Sequence, residues 1–413
     1  MATESQLKKN YFWNTLGSFA NALTSALLLI VVTRSLGTYM GGIFSLAYAL
    51  GQQFQVLGAF EIRPYQATDT AQKYTFGTYL AARIITCAIM VLSLIAYAVY
   101  SNGLTTDAFL LFGIAMLKFF DAFEDVYHGM FQQRGRLDIA GRAFFFRTIA
   151  TFLSFSIGCV ITADLGTACL FAIAISSAAT VILNFPFVQT FEKNRPEWNW
   201  KAIGGLLCAC LPLFLGVFLA NDLINVPRYA IESYLTKDEQ TVYAVIYMPA
   251  MVINLLVGFV FKPLLSTLAE SWNKEDTRAF TAVIIKGALL VIAVSVGTCI
   301  LAYPFGVPAL SFLYSIDLDS YKACLMIMLI GGTFNALSII FYYALVTMRL
   351  QRFVLVGYAA AALSAHALSG PLVCSMGLMG VVVLYDTTMA IACIAFFALA
   401  LMGYKASRRK LNH

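Results

Sequence analysis

Long apolar runs recur along the chain, separated by short polar gaps, and this alternation predicts helices that cross a membrane. A helix rises about 1.5 Å per residue and a hydrocarbon core is about 30 Å thick, so roughly 20 apolar residues span it. Twelve stretches reach that length: 12–33, 40–60, 77–100, 108–131, 139–161, 166–188, 203–224, 239–261, 281–303, 322–346, 353–374 and 377–402. The gaps between them are short, the longest on the side read below as cytoplasmic being 61–76 and 262–280, and none has room for a catalytic domain. The expected fold is all-α: a polytopic integral membrane protein of about twelve transmembrane helices. Composition agrees, with 60% hydrophobic and 12% charged residues and a mean hydropathy of +0.79, far from the balance of soluble domains.

The gaps also carry charge unevenly. Assigned by gap, 22 lysines and arginines fall on one side, only Arg34, Arg228, Lys237 and Lys322 on the other, and Lys118 lies within a span. By the positive-inside rule both termini are cytoplasmic. The net charge of +6 is then a topological bias, and no nucleic-acid partner is implied. Lys8 and Lys9 ahead of an apolar run resemble a secretory signal only superficially. Asn21 interrupts that run, Thr33-Arg34-Ser35 is a poor cleavage site, and the segment is read as a retained helix.

Six spans return the chain to its starting side, so residues 1–200 and 201–413 read as two parallel six-helix lobes. Gly41–Tyr48 matches Gln240–Tyr247, Arg83 matches Lys286, and the basic turn Gln133–Leu137 matches Met348–Arg352. Chance likeness at span ends is the alternative. Duplicated lobes imply a pseudo-two-fold axis along the membrane normal and a central cavity.

Charge within a span is costly and marks wet or paired positions. Lys118, Asp121, Asp125 and His128 step by three, four and three, which places them on one helical face. They form either a cavity-facing stripe or a self-neutralising Lys118–Asp121 pair, with the rest emerging into water. Asn221, Asn225 and Arg228 share a face at the end of the seventh span, where Pro227 frees a carbonyl. They read as a phosphate grip or as a cap and interfacial anchor; Arg34 stands at the corresponding end of the first span. Arg83 and Lys286 lie one to two turns into their helices and can snorkel. Asp386 is either a proton or sodium coupling site or a hydrogen-bond partner in the bundle.

Three histidines, His128, His366 and His413, make no metal cluster, and the sequence holds no nucleophile elbow and no Gly-rich phosphate loop. An enzyme and a self-contained ATP-driven pump are both disfavoured. What remains is a secondary transporter or flippase with no cofactor beyond a coupling proton or sodium ion.

Several stretches carry a resemblance to a family: Ala59–Asp69, Tyr79–Arg83, Asp125–Asp138, Asn221–Ile231 and Tyr247–Ala250. They look like bacterial polysaccharide flippases of the Wzx type, within the multidrug, oligosaccharidyl-lipid and polysaccharide exporter superfamily. The resemblance implies two six-helix lobes, a rocker-switch cycle and residence in the bacterial cytoplasmic membrane. The implied cargo is an oligosaccharide repeat unit on undecaprenyl pyrophosphate, moved to the outer leaflet among membrane lipids and alongside glycan polymerase and glycosyltransferase machinery. It also implies a cationic cavity, mapped here to Arg34, Arg83, Lys118 and Arg228. Spacing sets Asn221 and Asn225 beside the last, and ion coupling is expected of Asp121, Asp125 or Asp386. An exporter of multiple drugs or organic cations from the same superfamily is the alternative, expected to show acids dominating its cavity. A membrane polymerase or ligase would need a large external loop, and the sequence has none.

Overall fold

The computed structural model describes residues 4–69, 71–261 and 264–411, which form helices and no strand. The helices are α1 Glu4–Leu36, α2 Thr38–Ala59, α3 Ile62–Thr68, α4 Phe76–Asn102, α5 Thr106–Gln133, α6 Leu137–Thr162 and α7 Leu165–Val188. They continue as α8 Trp200–Tyr234, α9 Lys237–Phe261, α10 Leu264–Asn273, α11 Thr277–Tyr314, α12 Lys322–Thr347, α13 Gln351–Met376 and α14 Leu378–Leu411. Each of the twelve expected spans is a helix. The two short ones, α3 and α10, lie in the gaps 61–76 and 262–280. Thr75, Thr105, Asp164 and Asp276 cap α4, α5, α7 and α11, each accepting a main-chain N–H three residues on. Lys262, counted among the cytoplasmic cations, lies outside the described residues.

Among the described residues ten helices are long and apolar enough to cross a membrane; α2 and α5 fall short. Gln52, Gln53 and Gln55 dilute α2, and Lys118, Asp121, Glu124 and Asp125 dilute α5. Lipid is a poor neighbour for such helices. Accordingly α5 is an interior helix, packed against α2, α3, α4, α6 and α7. A Cβ on Gly51 would sit 2.9 Å from the main chain of Ala115, so α2 and α5 meet backbone to backbone because that residue has no side chain.

The chain divides into two compact units, Met1–Phe218 and Leu219–His413, and the division falls inside α8. In the first unit, Ile203, Leu206 and Cys210 of α8 join Tyr79, Tyr127 and Phe131 in one apolar cluster. The segment between α7 and α8 is fastened to the same unit: Glu197 N–H donates to the Gly77 carbonyl (3.0 Å), Thr75 Oγ1 donates to the Glu197 carboxylate (2.6 Å), and Arg134 pairs with Glu192. In the second unit α12 is the interior helix, packed against α9, α11, α13 and α14, with Ile253, Val257, Phe261, Leu329 and Ile340 in its core.

Asp69, at the end of α3, organises the turn into α4. Its carboxylate accepts from the N–H groups of Lys73 (2.9 Å) and Tyr74 (3.1 Å) and from the Tyr79 hydroxyl (2.8 Å). Burial alone would raise its pKa, but these donors outweigh burial and hold the carboxyl below the usual aspartate value. A lowered folded-state pKa contributes stability that is present above the unfolded value of about 3.9 and lost as pH falls through the folded one. Asp69→Asn is expected to cost about 1–2 kcal/mol at neutral pH and to remove the part of the acid destabilisation that sets in below about pH 4. Unfolding midpoints of both proteins across a pH series check this.

Candidate functional site

Part of the interior charge of the first unit forms a four-membered network centred on α5. Lys118 Nζ lies 2.7 Å from Asp121 Oδ2, donates to Asn21 Oδ1 at 3.3 Å and stands over the Tyr48 ring at 4.7 Å. Arg147 of α6 bridges the other oxygen of Asp121 and Glu124, with Nε 2.8 Å from Glu124 Oε1. Asn184 of α7 reaches Glu124 Oε2 at 3.5 Å, and Thr151 binds the Arg147 carbonyl and Ser176. All four charged side chains are 5% exposed or less, and two cations face two carboxylates. Balanced and mutually bonded, such a network is stable in a low-dielectric interior where any one member alone would not be.

Sequence reasoning reaches only half of it. Glu124 lies off the Lys118–Asp121–Asp125–His128 face, and Arg147 counts by gap among the cytoplasmic cations. The structure corrects that assignment. Arg147 is the eleventh residue of α6, roughly 15 Å along the helix by rise per residue, and that depth is the signal by which it could have been found.

Asp125 belongs to a second cluster. Its two oxygens take Arg63 at 3.2 Å and Arg83 at 3.0 Å, while Arg83 also donates to the Gly58 carbonyl at 2.6 Å and is fully buried. Arg63 reaches Gln132 Oε1 at 3.2 Å, tying α3 to α5. Outside the spans, Glu61 has its carboxyl pKa raised, first by burial and then by Asp125, with Arg83 opposing. His128 is buried against Phe144, with ring centroids 5.9 Å apart. Arg34 is exposed in the last turn of α1, where a cation complements the helix dipole.

In the second unit α8 does not end near Pro227, as expected, but runs unbroken to Tyr234. The proline's lost donor and ring clash do not break it. Asn225 and Arg228 are therefore buried helix residues, and the reading as a helix-terminal cap does not hold. Arg228 Nη1 donates to Asn225 Oδ1 at 3.0 Å, and its guanidinium lies 5.0 Å from the Tyr247 ring and 5.7 Å from that of Tyr243. Tyr243 and Tyr247 stack, and Tyr385 of α14 meets Tyr247 edge-on at 5.5 Å. Among the described residues no carboxylate lies within ion-pair distance of Arg228, and its Nε has no hydrogen-bond acceptor. Asp386 follows Tyr385, with its Oδ1 against Gly331 of α12, where a Cβ would approach to 2.1 Å. Asn221 is half-buried one turn before Asn225, and Asp222 pairs with His366 Nε2 at 3.0 Å.

No protein-family model matches the chain, and no curated protein matches its sequence. Solved structures do match its fold. An inward-facing multidrug resistance MATE family transporter of the MOP superfamily superposes with a TM-score of 0.70 at 12% identity, over 94% of this chain and 96% of that one. The fold is that of MATE transporters. An outward-facing multidrug resistance MATE family transporter gives 0.61 at 13% identity, over 97% and 96% of the two chains. A MOP superfamily transporter from Pyrococcus furiosus Vc1, described as having a binding pocket of reversed polarity that suggests a different function, gives 0.59 at 13% over 97% and 96%. Together with ten apolar helices long enough to cross a bilayer, this fold makes the chain a multi-pass membrane protein.

Proposed function

We propose that the chain is an exporter that carries amphiphilic organic compounds across the membrane by alternating access. The observation that supports this reading is the fold, matched along nearly the whole chain by multidrug MATE transporters. Energy then comes from an ion gradient. Asp121 and Asp125 are held in ion pairs, so we assign coupling to Asp386, which has no basic partner within ion-pair distance among the described residues.

One observation favours a second reading, the transfer of a lipid-linked oligosaccharide between leaflets. Arg228 is a buried cation in an aromatic setting without a carboxylate, and such a cation suits a phosphate or pyrophosphate group. Under that reading Lys118 and Arg83, already paired, hold the fold, and the cationic contact in the second unit is Arg228. Glycosyltransferases and a glycan polymerase would then be its working partners.

Purified protein in liposomes separates the two. Gradient-driven uptake of a fluorescent amphiphilic cation, lost when the proton or the sodium gradient is collapsed, supports the exporter; leaflet transfer of an undecaprenyl-pyrophosphate oligosaccharide supports the flippase. Arg228→Ala is expected to leave cation export near wild type, but to cut lipid-oligosaccharide transfer by roughly tenfold or more, the scale of one lost charge-assisted hydrogen bond. Absence of both activities in well-folded protein overturns the proposal.

A further inference from the structure

The start of α1 is fixed to the turn between α5 and α6. Gln6 Nε2 donates to Asp138 Oδ1 (2.7 Å), Asn10 Nδ2 donates to the Gly135 carbonyl (2.9 Å), and Asp138 N–H donates to Asn10 Oδ1 (2.9 Å). This end of the helix is thus held in place while Lys8, Lys9 and Phe12 stay exposed. A shallow, open hollow runs along this face of the helix, lined by Lys8, Lys9, Phe12 and Trp13 with Glu4 and Ser5. Arg142 of α6 comes in from the side, its guanidinium 5.1 Å from the Trp13 ring and its side chain 47% exposed.

The charge here is only partly neutralised within the protein. Lys8 pairs with Glu4 at 2.7 Å. Asp138 is engaged by Arg136 at 2.9 Å and by Gln6, and reaches Arg142 only at 3.9 Å. Lys9 has no carboxylate within ion-pair distance among the described residues. Beside these cations are exposed apolar side chains, Leu7, Phe12 and Phe146. A cationic hollow with an aromatic rim and an apolar flank, at the end of a long apolar helix, has the layering of a lipid at the membrane interface: phosphate, glycerol, then acyl chain.

We propose that this hollow binds one anionic phospholipid. Lys9 and Arg142 meet its phosphate, Trp13 lies at the level of the glycerol, and Phe12 and Phe146 border the chains. A zwitterionic headgroup brings an ammonium towards Lys8, Lys9 and Arg142 and is disfavoured by like charge. The site is independent of the transported compound.

The test uses the purified full chain in detergent, titrated with phosphatidylglycerol or phosphatidylethanolamine of the same acyl composition, with retained lipid counted by native mass spectrometry. One phosphatidylglycerol is expected to be retained with roughly thirtyfold preference, the scale of attraction from a pair of basic residues near a surface. Replacing both Lys9 and Arg142 by Gln is expected to bring the two lipids to parity, and Lys9→Arg with Arg142→Lys to keep the preference. Equal retention by the wild-type protein, a preference that survives the double Gln variant, or displacement of the lipid by inorganic phosphate would each overturn the proposal. The wild-type and charge-conserving arms decide the matter even if the Gln variant folds poorly.

Discussion

Replacing Arg147 with Met is expected to destabilise the first unit by about 3–5 kcal/mol, the scale for removing one member of a buried ion pair. The cause is what the substitution leaves behind. Asp121 keeps Lys118 at 2.7 Å, but Glu124, fully buried, keeps only the Asn184 amide at 3.5 Å. A carboxylate without a cation in that interior must take up a proton or draw in water, and either costs stability. Changing Glu124 to Gln in the same protein removes the stranded charge, so Arg147→Met with Glu124→Gln is expected to recover about half of the loss. The double-mutant cycle, read from thermal unfolding midpoints in detergent, isolates their coupling. A cycle that sums additively would show that Arg147 and Glu124 do not depend on each other.

That network also shows where the sequence can be read and where it cannot. The twelve long helices follow from run length alone, because lipid selects apolar residues over a fixed thickness. Run length does not say which helix goes inside. In the first unit the less apolar helices, α2 and α5, are the ones shielded by the others, which places Gln53 and Glu124 in the interior. Pairing is the least legible layer. Lys118, Asp121 and Asp125 share a helical face, yet Asp125 turns to Arg63 and Arg83 while Asp121 turns to Lys118 and Arg147. Partners on three other helices decide this, and spacing along one helix carries no record of them. Local rules mislead at Pro227 as well. A proline predicts a break from its own chemistry, but α8 continues through it, with Val226 and Ile231 fully packed on either side. Where the helix is buried around Pro227, tertiary packing outweighs a local preference.

A methyl group at Gly141 is expected to separate α1 from α6. An added Cβ there would lie 2.4 Å from the Trp13 carbonyl carbon and 2.6 Å from the Asn14 nitrogen, both main-chain atoms. The contact is reciprocal, since a Cβ at Gly17 would lie 2.9 Å from the Gly141 carbonyl oxygen. No rotamer change relieves a clash with backbone, so the helices must part, and closely packed small-residue crossings of this kind hold membrane helices together through van der Waals contact. Gly141→Ala is therefore expected to cost about 3 kcal/mol, the upper part of the usual overpacking range, even after the gain of about 1 kcal/mol in helix propensity. At Gly204, an exposed residue of α8, an added Cβ would meet no atom within 4 Å, and Gly204→Ala is expected to be neutral or to stabilise by up to about 1 kcal/mol. Unfolding midpoints of the two variants should move in opposite directions or differ by several degrees. Equal midpoints would mean that α1 and α6 tolerate a wider separation, and that the hydrogen bonds of Gln6 and Asn10 to the α5–α6 turn carry the contact instead.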